Sequence, residues 1–225
     1  MRTCVIIPAY NESKAIGPLI SRIRALGLEV IIVDDGSSDL TGEIAGENAA
    51  LVLRNGANIG KGASLIKGYK FALEKGFEAI ISMDGDGQHS CDDIMFFINK
   101  AASGSKVIIG NRMALTKGMP LLRILTNRFM SRLISLITKQ YIPDTQCGFR
   151  LIRKEVLEKL NLSTSKYEIE SEVLIKAARL GFKIDSIPVK TIYTGQKSQI
   201  NPVIDTLRFL RYMFMELVWE KKNGI

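Results

Sequence analysis

Two aspartates separated by a single residue follow a short apolar run near the middle of the chain. Asp84 and Asp86 come after Ile80-Ile81-Ser82-Met83, a glycine lies beside each of them, and Gln88 follows. Glycine has no Cβ, so the backbone of this segment can approach a ligand closely. Carboxylate and amide oxygens suit Mg²⁺ or Mn²⁺, which keep positions open for phosphate oxygens. The segment therefore predicts a metal site that binds a diphosphate; a solvated acidic turn is the alternative.

The elements that must position these residues are strands that alternate with helices. Short apolar runs predict buried strands at residues 3–7, 29–33, 51–54, 77–83 and 106–110. Helices are predicted from residue 16 to the glycine at 27, at 61–75 and at 92–102. This alternation indicates an α/β protein with a mainly parallel sheet and helices on both faces.

Polar turns follow four of the predicted strands. They are Pro8–Glu12, Asp34-Asp35, Asp84–Gln88 and Gly110–Arg112. In parallel sheets, ligands bind beyond the carboxyl ends of the strands, so these turns predict one nucleotide-type cleft. The first turn lacks the G-x-G-x-x-G pattern and no G-x-x-x-x-G-K-[ST] pattern is present, which excludes the usual dinucleotide and P-loop sites.

The second half of the chain is less regular. Residues 119–140 combine leucines, isoleucines and a phenylalanine with arginines, which predicts a basic amphipathic helix on a membrane surface or, equally, a core helix with solvated arginines. A polar turn at 144–150 enters a strand, a helix with three glutamates follows, and another strand is predicted near 182–189. The glutamates at 168, 170 and 172 are either a solvated face or catalytic groups. The tail at 202–219 is predicted to be helical, with Trp219 and the lysines after it as a headgroup anchor or a packing contact.

Bulk properties narrow the class of protein. The chain has 225 residues, a formal charge of +8 and three widely spaced cysteines, which fits one reduced cytosolic domain that attracts anions. The first residues enter a strand without a secretory signal, and no run of about 18 apolar residues predicts a membrane span. We expect no nucleic-acid partner, because no helix-turn-helix, RNP or zinc-finger pattern is present. We expect a cytosolic location, with peripheral contact at the cytosolic face of a membrane.

Taken in order, the motifs of this chain resemble those of family 2 glycosyltransferases with the GT-A fold. The resemblance is strongest to the dolichol-phosphate mannose synthase-like, or polyprenyl-phosphate glycosyltransferase, branch. It covers roughly residues 3–200, which leaves 201–225 as a C-terminal amphipathic helix packed on the domain or on a membrane. Seven ordered motifs carry it: Pro8-Ala9-Tyr10-Asn11-Glu12, Asp34-Asp35-Gly36-Ser37, Asn58-Ile59-Gly60-Lys61-Gly62, Asp84-Gly85-Asp86-Gly87-Gln88-His89, Gly110-Asn111-Arg112, Asn127-Arg128 and Asp144-Thr145-Gln146-Cys147-Gly148-Phe149-Arg150.

The resemblance also implies roles for individual residues. Asp84, Asp86 and Gln88 are implied to hold the Mg²⁺ or Mn²⁺ ion. The implied donor-binding residues are Pro8, Ala9, Tyr10, Glu12, Asp35, Lys61, Asp84 and Gly85. The implied catalytic residues are Asp86, Arg112, Arg128 and Asp144. Among these, the two arginines are expected near an acceptor phosphate, and Asp144 near the sugar or as the base for a hydroxyl acceptor.

The implied activity is metal-dependent, inverting transfer of a hexose from a GDP- or UDP-linked sugar to a polyprenyl phosphate. One alternative is transfer to a hydroxyl group in cell-envelope glycan or glycolipid synthesis. An aspartyl-nucleophile phosphatase and a non-catalytic nucleotide-sugar sensor are alternatives from other classes. The chain departs from the family near residues 193–201, where a Glu-x-Ser element is often found and this sequence has Gln196-Lys197-Ser198-Gln199.

Overall fold

A computed structural model describes residues 1–192 and 208–216 of the chain. The strands are β1 (Thr3–Ala9), β2 (Glu29–Asp34), β3 (Leu51–Arg54), β4 (Ala79–Ser82), β5 (Val107–Asn111), β6 (Arg150–Arg153) and β7 (Ile184–Pro188). The helices are α1 (Ser13–Ala25), α2 (Thr41–Glu47), α3 (Lys61–Glu74), α4 (Ile94–Ala102), α5 (Leu121–Thr138), α6 (Lys154–Leu157) and α7 (Ile169–Arg179). Residues 208–216 are also helical.

Within the described residues, the strands form one sheet in the order β3-β2-β1-β4-β6-β5-β7. Strand β6 is antiparallel to both of its neighbours, and every other pair is parallel. The prediction of a mainly parallel α/β sheet is therefore confirmed. The order of the first strands does not reveal that β6 separates β4 from β5, because that pairing joins residues far apart in the chain. Its reversed direction brings the segment before Arg150 to the edge where β4 and β5 end.

Both faces of the sheet are buried, as the continuous apolar strands require. Alternate residues of β1 point to opposite faces: Val5 and Ile7 pack with α1, α2 and α4, whereas Cys4 and Ile6 pack with α3, α5 and α7. The three cysteines are free and buried, which agrees with the prediction of a chain without a disulfide framework.

Helix α5 is amphipathic in the structure. Asn127, Ser131 and Ile134 are buried, and the opposite side exposes large apolar residues together with Arg128. The exposed apolar residues of this helix are Leu121, Leu122, Leu125, Phe129 and Leu136. Within the described part of the chain, no helix combines the length and the apolar character that a bilayer crossing needs.

Part of the predicted C-terminal helix is described. Its residues Phe209 and Met213 are buried in the same core cluster as α5 and α7. The predictions made for 196–199, for 202–207 and for Trp219 with its lysines lie outside the described residues.

Candidate active site

Asp84 lies in the loop after β4, enclosed by groups that compensate its charge. Lys61 Nζ is 2.6 Å from Asp84 Oδ1, and His89 Nε2 is 3.2 Å from Oδ2. A Cβ on Gly148 would lie 2.6 Å from Oδ1, so a larger residue there would displace the carboxylate. Burial raises the pKa of Asp84, but Lys61 and His89 outweigh it and hold the pKa well below its usual range. Asp84 is therefore an ionised group at neutral pH.

The negative charge of Asp86 has fewer compensating contacts than that of Asp84. Its Oδ1 accepts a hydrogen bond from the backbone N–H of Gln88 at 2.9 Å. Burial and the negative charge of Asp84 nevertheless raise the pKa of Asp86. Nearby, burial together with Asp86, Asp39 and Asp84 raises the pKa of Glu12 to about 7. Burial is the largest cause of both shifts and neighbouring carboxylates add to it, so negative charge is concentrated at the carboxyl end of β4.

This concentration of negative charge and the oxygen-rich donor set fit a divalent cation. Among the described residues, no group of three or more His, Cys, Asp or Glu side chains is arranged to hold a metal. Asp84 and Asp86, with the half-buried Gln88 beside them, thus offer only part of a coordination shell. Mg²⁺ sites of this kind normally use one or two carboxylates and complete the shell with water and substrate phosphates.

Lys61 begins α3 and is held by the loop that precedes it. Asp35 is 4% exposed, and its two carboxylate oxygens accept hydrogen bonds from Asn55 Nδ2 and from the N–H groups of Ile59 and Gly60. Gly60 has φ 104°, a conformation that favours glycine. Asp35 was predicted to line the donor pocket; in the structure its side-chain contacts fix the loop that delivers Lys61.

The first polar turn is tied to the turn after β2. The buried Ala9 accepts a hydrogen bond at its carbonyl from the N–H of Asp35, and Pro8, Tyr10 and Glu12 are half-buried. Asn11, between the last two, has φ 57°, and its Oδ1 accepts a hydrogen bond from the N–H of Ser38. The Glu12 N–H donates to Thr41 Oγ1. These contacts fix the backbone of the predicted donor-binding turn against the turn after β2.

Arg112 and Asp144 form a buried ion pair. Arg112 Nε and Nη2 donate to the two carboxylate oxygens at 2.8 and 2.9 Å, and the Arg112 backbone N–H donates to Oδ2 at 3.0 Å. Burial raises the pKa of Asp144, but Arg112 outweighs it and the pKa is lowered. Asp144 is thus the counter-ion of Arg112. Arg128, which was predicted to act with Arg112, is exposed on α5.

Two of the three glutamates named from the sequence, Glu170 and Glu172, are buried on α7. Glu170 Oε1 is 2.6 Å from Lys61 Nζ, so this helix contributes to the same charge cluster as Asp84. Glu172 accepts hydrogen bonds from Ser163 and Thr164 and pairs with Lys176. Residues 169–175 are all buried, so a solvated face is wrong for these two glutamates. In the sequence, only the apolar residues around these glutamates in Ile169–Ile175 indicate that the two side chains are buried.

Comparison with known proteins assigns the family. The sequence profile of glycosyl transferase family 2 matches residues 4–161. A UDP-N-acetylglucosamine–dolichyl-phosphate N-acetylglucosaminyltransferase of Methanococcus voltae is 34% identical over 214 residues, covering 84% of this chain and 85% of that protein. A polyprenol monophosphomannose synthase of Mycolicibacterium smegmatis is 28% identical over 202 residues, covering 84% of this chain and 76% of that protein.

Solved structures share the fold at low sequence identity. Glucosyl-3-phosphoglycerate synthase from Mycobacterium tuberculosis, crystallised with Mn²⁺, UDP and glucosyl-3-phosphoglycerate, superposes with a TM-score of 0.74 at 19% identity, covering 99% of this chain and 80% of that one. The same enzyme with Mg²⁺ and UDP gives a TM-score of 0.72, also at 19% identity, covering 99% and 79% of the two chains.

The family profile, the relatives and the fold agree with one another. The sheet with its helices on both faces is the GT-A fold that these solved structures share. The profile spans the strands from β1 to β6, which carry the acidic loop, Lys61 and Arg112. This protein is a glycosyltransferase, and the chain belongs to glycosyl transferase family 2.

Proposed function

We propose that this glycosyltransferase moves a hexose from a nucleoside diphosphate sugar to a polyprenyl phosphate, with inversion and with a divalent cation. The observation that carries the proposal is the loop at the carboxyl end of β4, which holds Asp84 and Asp86 and in which Asp86 has no cationic partner at salt-bridge distance among the described residues. The relatives named for dolichyl-phosphate and polyprenol substrates support the acceptor class. The solved structures with UDP and Mn²⁺ or Mg²⁺ support the donor class and the ion.

Asp84, Asp86 and Gln88 are the residues that would hold the cation. When bound, Mg²⁺ or Mn²⁺ would stabilise the negative charge that develops on the departing diphosphate. Gly85 lets the loop pack closely against β1, since a Cβ there would lie 3.3 Å from Ile7 and 3.4 Å from the Pro8 carbonyl oxygen. The turn containing Pro8, Ala9, Tyr10 and Glu12 would form the wall that the nucleoside contacts, and Lys61 would add positive charge toward the phosphates.

The acceptor chemistry follows from the charge of a phosphate. An acceptor phosphate oxygen is already anionic near pH 7, so it can attack the anomeric carbon without losing a proton. As the new C–O bond forms on one side, the bond to the diphosphate breaks on the other and inverts that carbon. Arg112 and Arg128 would orient the acceptor phosphate.

The state of Asp144 favours this acceptor over a hydroxyl group. A hydroxyl acceptor needs a base, and an effective base has a pKa near the working pH. Asp144 has a lowered pKa, and both of its oxygens accept hydrogen bonds from Arg112. The match to glycosyl transferase family 2 disfavours the alternative of an aspartyl-nucleophile phosphatase.

Binding calorimetry tests the proposed donor and ion. We expect a UDP- or GDP-sugar to bind with Mn²⁺ or Mg²⁺ and to bind at least tenfold more weakly in EDTA, because the carboxylates alone repel a diphosphate. Incubation of the bound donor with a polyprenyl phosphate should then give a glycosylated lipid phosphate by mass spectrometry. Absence of binding with either ion would overturn the proposal. Phosphate release from a generic ester, lost in Asp84→Asn, would support the phosphatase instead.

We also infer that the 1–200 domain and the 201–225 tail act at the cytosolic face of a membrane, where a polyprenyl phosphate is held. The exposed side of α5 carries Leu121, Leu125 and Phe129 with Arg128 and Arg132 between or beside them. Such a face suits an anionic lipid surface. In a flotation assay, the protein should rise with anionic vesicles and less with neutral ones. The double variant Leu125→Ser/Phe129→Ser should float less at unchanged melting temperature, and equal flotation of variant and wild type would contradict the inference.

A further inference from the structure

Lys61 is shared between two carboxylates that come from different parts of the chain. Its Nζ lies 2.6 Å from Asp84 Oδ1 and 2.6 Å from Glu170 Oε1. The Lys61 side chain is 18% exposed and that of Glu170 is 6% exposed, so these two groups are largely shielded from water, whereas the Asp84 side chain is 29% exposed. An ammonium group has three N–H donors, and these two contacts use two of them.

Glu170 changes the charge that Asp84 presents to the cleft. A pair of Lys61 and Asp84 alone would be neutral, and its ammonium would compete with a metal ion for the carboxylate. With Glu170 as a second partner, the ammonium is shared between two carboxylates, so Asp84 keeps more of its negative charge for a metal ion.

The environment of the second carboxylate oxygen of Glu170 is independent evidence that the charge of this residue has a function. Glu170 Oε2 is buried and has no hydrogen-bond partner among the described residues. It borders a cavity of about 10 Å³, lined also by Tyr69, Ser82 and Arg150, with room for one water molecule. Burying a carboxylate with an unsatisfied oxygen costs free energy, and an apolar residue at such a position often gives a more stable protein. Stability alone therefore does not account for a glutamate here.

We propose that Glu170 is a positioning residue of the donor site, which shares the Lys61 ammonium so that Asp84 keeps enough negative charge to hold a divalent cation. The inference rests on the proposed function, because it assumes that the cation and a diphosphate meet at Asp84 and Asp86. Glu170 itself touches neither; it acts through Lys61.

The variant Glu170→Gln tests this role because it removes the charge and keeps the shape. Calorimetry is run with UDP and with GDP, each in EDTA and in Mn²⁺. With one negative charge fewer, the nucleotide should bind several-fold more tightly in EDTA. In Mn²⁺ it should bind roughly 10-fold more weakly, the usual size of an indirect effect on a metal site. The two affinities thus move in opposite directions, whereas a folding defect would lower both.

Charge-matched variants complete the experiment. Lys61→Met should raise the factor by which Mn²⁺ strengthens nucleotide binding. Combining Lys61→Met with Glu170→Gln restores the net charge, so this double variant should return the factor toward the wild-type value. Glu168→Gln removes the same charge from the turn that enters α7 and should leave the factor unchanged. If Mn²⁺ strengthens nucleotide binding to Glu170→Gln by the same factor as in the wild type, the role of Glu170 is overturned. The same holds if Glu170→Gln loses nucleotide affinity equally in EDTA and in Mn²⁺. Neither result would affect the proposed function. Absence of any nucleotide or Mn²⁺ effect in the wild type would overturn the proposed function as well.

Discussion

Replacement of Asp86 with alanine is expected to lower glycosyl transfer by about 10³-fold, the effect of removing one group that stabilises charge in a transition state. Asp86 is the carboxylate of the acidic loop that has no cationic partner at salt-bridge distance among the described residues. Its pKa is raised by burial and by Asp84, so the folded state holds this charge at a cost in stability. The melting temperature of Asp86→Ala should therefore equal or exceed that of the wild type. Product formation and thermal unfolding measure the two effects.

A matched control is available a few residues further along the chain. Asp92 is 81% exposed at its side chain and pairs with Arg22 on the surface. Surface pairs of this kind contribute little to stability, so Asp92→Ala should change neither transfer nor the melting temperature measurably. If Asp86→Ala transfers sugar at a rate within tenfold of the wild type, Asp86 has no role at the ion. A marked fall in the melting temperature of the variant would also contradict that role, because it would show that Asp86 stabilises the fold.

The order of strands and helices in the first half of the chain could be predicted because local patterns determine it. Buried parallel strands read as continuous apolar runs, and helices such as α1 show their spacing directly. The exact limits were less accurate: the strand predicted at 77–83 is Ala79–Ser82, and the helix predicted at 92–102 begins with a 3₁₀ turn at Cys91–Asp93. The position of β6 depends on pairings such as Ser82 with Arg150, and nothing local in either segment encodes such a pairing.

The acidic loop could be predicted for a related reason, since its composition and spacing carry the chemistry. The residues that surround the loop in the folded chain could not be predicted from the sequence. Glu170 reaches Lys61 only because the fold brings the first turn of α7 to the start of α3, and Gly148 meets Asp84 only because β6 is reversed. For Asp144, the sequence shows a polar residue but not its partner, so a buried counter-ion and a free base look the same. Ordered motifs thus identify which residues matter, and tertiary contacts determine what each one can do.

Removal of the Asp144 carboxylate should be the most destabilising single change at the site. Arg112 is 5% exposed, and Asp144→Ala leaves its guanidinium and its backbone N–H without these acceptors. Loss of one partner from a buried ion pair costs about 3–5 kcal/mol. For a chain of this size, that corresponds to a fall in melting temperature of roughly 10 °C. Urea unfolding gives the free energy directly, and an unchanged free energy of unfolding would contradict the buried pair.

The pH dependence of the same variant has a definite sign. The pKa of Asp144 is lowered in the folded state, so its contribution is complete above the unfolded pKa of about 3.9 and is lost as the pH falls through the lower folded value. The difference in unfolding free energy between wild type and Asp144→Ala should thus be constant from about pH 5 upward and should narrow below about pH 4. A difference that narrows as the pH rises above 5 would show that another group is responsible.

A double variant separates the structural role of the pair from its role in transfer. Arg112→Met combined with Asp144→Leu replaces both charges with apolar groups, which often restores or exceeds the stability of a buried pair. We expect most of the lost unfolding free energy to return while transfer stays at least 100-fold below wild type, because the positioning of the acceptor phosphate requires a cation. If the stable double variant transferred sugar at the wild-type rate, Arg112 would be a structural residue alone, and the acceptor phosphate would have to be bound by Arg128 or by another part of the chain.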